Sequence, residues 1–310
     1  MEKEEKTIEY SNQYFKNIEE ARQTFRSYYI STNIVKAIGI FLAIGVLVAG
    51  FVLARTVLSS QSLSTLLLAG GLGIAILALF TFFINKARKK KITVFMDTYY
   101  ISLNEYLFKD DFEIKVNLED RIAIEDFDKN GLYKDVGACP SRNVSYISNK
   151  ELNLKTYEIS GQVQVGRKTY PVFVGKIFEF ENKYEGDPII LYIKAKKHEL
   201  ELPPTNLDNI NEVENTDNYV IYSNNKDYKK VFKKSILDAI NKLEPDDVFI
   251  DGSISIQKGT TYFALGLDDS IMAIPFKEPF EEIPMKTLKV DIEKTLKIVK
   301  LLNENGKKVG

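Results

Sequence analysis

Five of the six residues from Lys86 to Lys91 are basic: Lys86, Arg88, Lys89, Lys90 and Lys91. Such a cluster beside an apolar run can meet anionic lipid headgroups, or simply fix topology. Arg167 and Lys168 follow Gly166 at an expected hairpin turn, where two cations can hold an anionic ligand or a partner carboxylate. Glu158, Ser160, Gln162 and Gln164 alternate along a strand-like run, so their polar stripe either lines a cavity or faces water. Lys229, Lys230, Lys233 and Lys234 read as the charged outer face of an amphipathic helix, or as a face that docks on a membrane.

Other candidate chemistry is thin. Asp110, Asp111 and Glu113 are close in sequence, as are Asp246 with Asp247 and Asp268 with Asp269. Carboxylate clusters can take Mg²⁺ or Ca²⁺, but none of these has EF-hand spacing, and solvated turns are the simpler reading. The chain has one cysteine, Cys139, and one histidine, His198. A zinc site built from Cys and His therefore lacks ligands, and a His-dependent triad could use only His198. Cys139 precedes Pro140 with no evident base to activate it. Walker-type, G-x-S-x-G and H-E-x-x-H motifs are absent. Neither a catalytic residue, a metal site nor a cofactor is assigned, and the chain reads as a non-enzyme.

The balance of charge removes another class. Of 310 residues, 42 are basic and 43 acidic, a formal net charge of −1, so no global basic field points to nucleic acid. A single cysteine allows no intrachain disulfide, which fits a reducing compartment.

Position is better defined than chemistry. Ala37–Ala54 and Leu63–Ile84 are apolar and uncharged. As helices they would reach roughly 27 and 33 Å, against a bilayer core of about 30 Å. A two-span membrane hairpin is expected. The acidic start MEKEEKTIEY is unlike a signal peptide. Arg22, Arg26 and Lys36 precede the first span and the Lys86–Lys91 cluster follows the second, while Thr56–Ser62 carries no basic residue. The positive-inside rule then puts both termini and the main domain in the cytoplasm, at the plasma membrane. Small residues recur at four-residue spacing around Gly39, Gly45, Gly50, Gly71 and Gly73, a pattern for close helix packing within the hairpin or between copies of the chain.

Four segments are expected: an amphipathic helix over 1–36, the hairpin over 37–84, a basic juxtamembrane segment and helical stalk over 85–120, and an α+β domain over 121–310. The first helix carries Phe15, Ile18, Phe25 and Tyr29 at helical spacing and is expected to pack on the C-terminal domain. The stalk carries Ile92, Phe95, Tyr99, Leu103 and Tyr106. Asn117 is expected to cap a further helix through Phe127, and Asn130–Arg142, with two glycines and a proline, to be a mobile or functional loop. Strands are expected at Tyr157–Val165, Tyr170–Glu181, Pro188–Lys196 and Tyr219–Tyr222, and as a hairpin over Val248–Leu267 turning at Lys258-Gly259. Pro203–Asp217 reads as a loop, Tyr228–Leu243 as one helix and Asp291–Asn303 as a last one. Tight turns between neighbouring strands imply a mostly antiparallel sheet, hence α+β.

Several of these runs, IAIEDFDKNGLY (Ile122–Tyr133), YEISGQVQVGRKTYPVFVGKIFEF (Tyr157–Phe180), NYVIYSNNKDYKKVFKKSILDAINKL (Asn218–Leu243) and VFIDGSISI…YFALGL, are together similar to the bacterial domain-of-unknown-function family 3137. Its most recognisable piece holds Gly166, Arg167, Val172, Phe173, Gly175 and Phe178. The resemblance implies a membrane hairpin with a cytosolic α+β domain and no known activity. It also implies a partner, a membrane-anchored helical protein of the LemA type. The functional expectation is a membrane-anchored binding or scaffold module contacting lipid and a protein or small ligand. The alternatives are an accessory subunit or homo-oligomer in membrane transport or homeostasis, and an enzyme built on carboxylates and lysines.

Overall fold

The structure, a computed structural model, describes residues 10–56, 63–194, 207, 209–243, 246–272, 274 and 278–309. His198 and residues 57–62 lie outside the described residues. The chain divides into two compact units, Met1–Tyr99 with Pro275–Phe280, and Tyr100–Ile274 with Glu281–Gly310.

The first unit is built on two long helices, α1 (Gln13–Thr56) and α2 (Leu63–Phe108), of which α2 runs on into the second unit. Both are long and apolar enough to cross a membrane, and only 11% of the most apolar window of each is buried. Helices of a soluble core would hide those windows. Here Phe41, Ile44, Val48, Ile74, Phe82 and Phe83 are exposed, apolar surface of the kind lipid covers. The amphipathic start of the chain is not a separate helix, because α1 continues through the apolar run without a break. Its inward stripe packs within this unit. Phe25 stacks on Phe95 at 5.8 Å, and Phe15 and Tyr99 both meet Phe280. Glu19 and Arg22 are buried beside that contact as an ion pair, with Arg22 Nε donating to Glu19 Oε2 at 2.7 Å. The Phe280 N–H also donates to Glu19 Oε2, at 3.1 Å.

The second unit is α+β, and its centre is a fully antiparallel sheet of nine strands. The strands are β1 (Glu113–Asn117), β2 (Ser141–Ser148), β3 (Asn153–Val165), β4 (Lys168–Glu181), β5 (Ile189–Ile193), β6 (Glu212–Asn215), β7 (Tyr219–Ser223), β8 (Phe249–Gln257) and β9 (Thr260–Leu267), in the order β1-β2-β3-β4-β9-β8-β5-β7-β6. Every residue of β5 is buried, so both faces of the sheet are covered. One face carries a core of Tyr157, Ile159, Phe173, Ile177 and Tyr262, closed by Phe127, Leu132, Tyr133 and Cys139. Toward the other face, Phe108 at the end of α2 meets Phe178, which meets Phe263.

Three expectations are corrected and one is refined. Asn117 ends β1 rather than capping a helix, and the helix beyond it, α3, covers only Ile124–Asp128. Asn130–Arg142 is mostly irregular, as expected, but it is also part of the core: Leu132, Tyr133, Val136 and Cys139 are buried, and Ala138 bridges to Gln162. Its apolar residues lack strand or helix periodicity because they plug a core. Tyr228–Leu243 breaks into α4 (Tyr228–Val231) and α5 (Lys234–Ile240), with Phe232 non-helical (φ −88°, ψ 74°) and Lys233 extended between them. Within the expected loop 203–217 lies the edge strand β6, and residues 203–206 and 208 are outside the described residues. The chain ends in α6 (Asp269–Met272) and α7 (Glu282–Val309), which extends on both sides of the expected last helix.

Candidate functional site

Antiparallel register decides which polar side chains meet. On β3, Glu158 pairs with Lys176 of β4 on one side and Arg142 of β2 on the other. Directly paired residues share a face, so one carboxylate lies between two cations. Lys176 Nζ is 3.7 Å from Glu158 Oε1, and Arg142 Nε is 3.4 Å from Glu158 Oε2. Asn143 sits at a bulge with φ 54° and donates its amide to Glu158 Oε1 at 2.7 Å. That left-handed backbone suits asparagine among non-glycine residues. Asn104 of α2 then donates to the side-chain oxygen of Asn143 and to Tyr100 O. The polar chain thus runs from α2 to the third and fourth strands of the sheet.

Lys176 is 1% exposed. Its amine has no hydrogen-bond partner among the described residues, and lies 5.7 Å from the centre of the Phe108 ring. Burial pulls its pKa below the ordinary lysine range, against the raising pull of Glu158. A lysine with a lowered pKa can act as base or nucleophile when its amine faces a substrate. This one faces a carboxylate and a phenyl ring inside the fold, so the pair is an internal brace.

Beside the brace is an open recess of about 280 Å³, lined by Arg142, Glu158, Ser160 and Asp269 together with Pro140, Ser141, Ile159 and Val174. It offers a cation, two carboxylates and hydroxyls within a small space, a donor set suited to a small polar molecule. The polar stripe of β3 therefore divides: Glu158 and Ser160 line this recess, while Gln164 is exposed.

Arg167 and Lys168 occupy the exposed β3–β4 turn, where Gly166 has φ 64°, the positive φ a two-residue hairpin loop requires. The recess and this turn are separate places on β3 and β4. Within the basic cluster, Lys86, Lys89, Lys90 and Lys91 are exposed. Arg88 is engaged inside the first unit: it donates to Thr32 Oγ1 at 2.7 Å and to Asn33 Oδ1, and lies 4.6 Å over the Tyr29 ring. It ties α2 to α1. The glycines also divide. An added Cβ at Gly39 would lie 3.2 Å from the Phe80 ring, and one at Gly73 would lie 3.3 Å from Leu47. Gly45 and Gly71 have open space in the same position. Gly39 and Gly73 thus serve the α1–α2 contact.

Two members of the carboxylate clusters have structural partners. Asp110 pairs with Lys289 at 2.8 Å, and Asp246 accepts the N–H groups of Val248 and Phe249. Among the described residues no three His, Cys, Asp or Glu side chains gather as a metal site. Cys139 is buried, its thiol directed at Ile122 O, and burial raises its pKa. Lys229 and Lys230 are exposed, Lys230 paired with Asp227.

Sequence reasoning missed Lys176, Arg142, Asn143 and Asn104. One signal was present, a lysine in the otherwise apolar run Val172–Phe178. An interior strand charge needs a partner, but identifying Glu158 requires the register.

A model of the cytochrome c oxidase subunit VIc family matches residues 48–102. The match covers the end of α1 and most of α2, a small part of the chain, and does not place the protein in that family. No curated protein and no solved structure matches. The resemblance to the bacterial domain-of-unknown-function family 3137 is corrected by this result: the family that matches is a different one, of mitochondrial and eukaryotic proteins. The bacterial assignment and the implied LemA-type partner fall with it. Its quoted runs are turn glycines and alternating sheet residues, which many antiparallel sheets require.

Proposed function

We propose that the protein is a membrane-anchored, non-enzymatic binding module. The hairpin of α1 and α2 holds it in the bilayer, and the sheet unit binds a partner protein or a small polar ligand on the cytosolic side. The observation that carries this reading is the helix α2. A single helix, Leu63–Phe108, contains the apolar run and ends on the sheet through Phe108 and Asn104. The basic cluster after the second apolar run favours a cytosolic sheet unit with both termini on that side of the plasma membrane. Anchoring raises the effective concentration of the binding surface for other membrane components. The recess beside Arg142, Glu158 and Ser160 is the favoured ligand position.

A second reading, an accessory subunit or homo-oligomer in a membrane assembly, draws support from the exposed apolar lengths of α1 and α2. Native mass spectrometry of the full chain, extracted gently from its own membrane, separates the two. A retained small molecule lost on Arg142→Ala favours the recess. A stoichiometric set of other membrane proteins that survives Arg142→Ala favours the subunit reading. A bare monomer in every preparation refutes both.

A further inference from the structure

The β3–β4 hairpin outruns its sheet. Pairing of β3 with β2 stops at Ser141–Ile159, and pairing of β4 with β9 begins only at Gly175–Gly266. Pairing of β3 with β4 continues to Val165–Lys168. The last four pairs, Gln162–Pro171 to Val165–Lys168, form a two-stranded ribbon, about 13 Å long at the usual rise. Beyond one bridge at Gln162 to Ala138, its residues 164–171 are all exposed.

A bare two-stranded ribbon is marginal by itself in water, and this one is not hydrophilic. Val163 and Tyr170 are paired, as are Val165 and Lys168. Since side chains two apart share a face, Val163, Val165, Lys168 and Tyr170 line one side. Val165 is 62% exposed and Tyr170 47% exposed. Arg167 is at the turn, and among the described residues no carboxylate is paired with Arg167 or Lys168. An apolar side with a tyrosine, ending in two cations, has the layered chemistry of a bilayer interface: apolar groups inward, tyrosine at the headgroup level, basic groups at phosphate.

We propose that this ribbon docks on an anionic lipid surface through Val165 and Tyr170, with Arg167 and Lys168 on lipid phosphates. Charge complementarity favours lipid, and so does the anchor, because a chain held by α1 and α2 keeps a bilayer at high effective concentration. The inference thus rests on the membrane-anchored reading. Each basic residue near such a surface contributes about five-fold in binding, so reversing both should reduce the docked-to-undocked ratio by at least about 25-fold.

The chain lacks tryptophan, so Tyr170→Trp creates a single fluorescent reporter, and Val165→Trp is a second should the first fold poorly. The full-length chain is reconstituted in vesicles of phosphatidylcholine with or without phosphatidylglycerol, each with brominated acyl chains. Docking predicts a blue-shifted emission quenched by bromine only with phosphatidylglycerol, and lost in Arg167→Glu/Lys168→Glu and in high salt. A solvent-exposed emission in anionic vesicles, or quenching that ignores phosphatidylglycerol, overturns the proposal. So does shielding that needs an added acidic protein. Vesicle flotation in the same samples reads the anchor separately. A chain that floats with an unquenched reporter refutes the ribbon alone. A chain that neither floats nor is quenched refutes both.

Discussion

Glu158→Gln should cost far more stability than Lys176→Met, although the two residues form one ion pair. At 3.7 Å and an effective dielectric of about 20, the opposite charges attract by about 4.5 kcal/mol. What each substitution leaves behind differs. Without the Lys176 amine, Glu158 keeps the Asn143 amide at 2.7 Å and Arg142 at 3.4 Å, and methionine fills the space beside Phe108. A loss below about 1.5 kcal/mol is expected. Without the Glu158 charge, the Lys176 amine is buried with neither counter-charge nor hydrogen bond among the described residues. Orphaning a buried charge costs about 3–5 kcal/mol. Lysine can escape by losing its proton, which caps the penalty near about 4.6 kcal/mol at pH 7. The pH dependence follows. Burial lowers the Lys176 pKa in the folded protein, so between that value and the ordinary lysine range the unfolded chain binds more protons and stability rises with pH. In Glu158→Gln this window extends further down, and the deficit should shrink as pH approaches 10. Denaturant unfolding in detergent, followed by circular dichroism, measures both variants, and the double variant should recover most of the loss. If Lys176→Met costs as much as Glu158→Gln, or the deficit does not change with pH, the reasoning is wrong.

Gly73→Leu should push α1 and α2 apart, whereas Gly71→Leu, with no atom near the new Cβ, should not; spin-label distances between the helices would tell. Burial raises the Glu19 pKa, but hydrogen bonds from Arg22, Phe280 N–H and Gln23, with the Arg22 charge, outweigh it and lower the net value. Its stabilisation is therefore present above about pH 4.5 and lost as pH falls through the lowered pKa, and Glu19→Gln should remove that part of the acid transition seen by circular dichroism. The Cys139 thiol, buried and raised in pKa by burial, should react with a thiol reagent only as fast as the fold opens. A rate matching a free surface thiol would contradict its placement.

The legible parts of this chain were those written in local period. Two uncharged apolar runs announce α1 and α2, and alternation announces β3, β4, β8 and β9, with Gly259 at φ 79° turning the last pair. Segments whose burial depends on distant neighbours were not legible. Leu132, Tyr133 and Val136 look like loop residues until the sheet they close is present. Phe232 and Lys233 break a continuous helical stripe between α4 and α5. The buried brace was half legible. The stripe from Glu158 to Gln164 stands out in sequence, but register alone brings Glu158 to Lys176 and Arg142, and a bulge brings Asn143. Small-residue spacing does not say which neighbour each glycine meets: within the chain Gly39 and Gly73 face the other helix, whereas Gly45 and Gly71 do not.

Membrane anchoring with a cytosol-facing sheet unit is the central claim, and protease protection in sealed vesicles of opposite orientation tests it most directly. Inverted vesicles should lose the sheet unit to added protease and retain only a fragment holding the two apolar runs, while right-side-out vesicles should be protected until detergent is added. Digestion of the sheet unit in right-side-out vesicles, or its release from either kind by carbonate washing without proteolysis, would contradict the account.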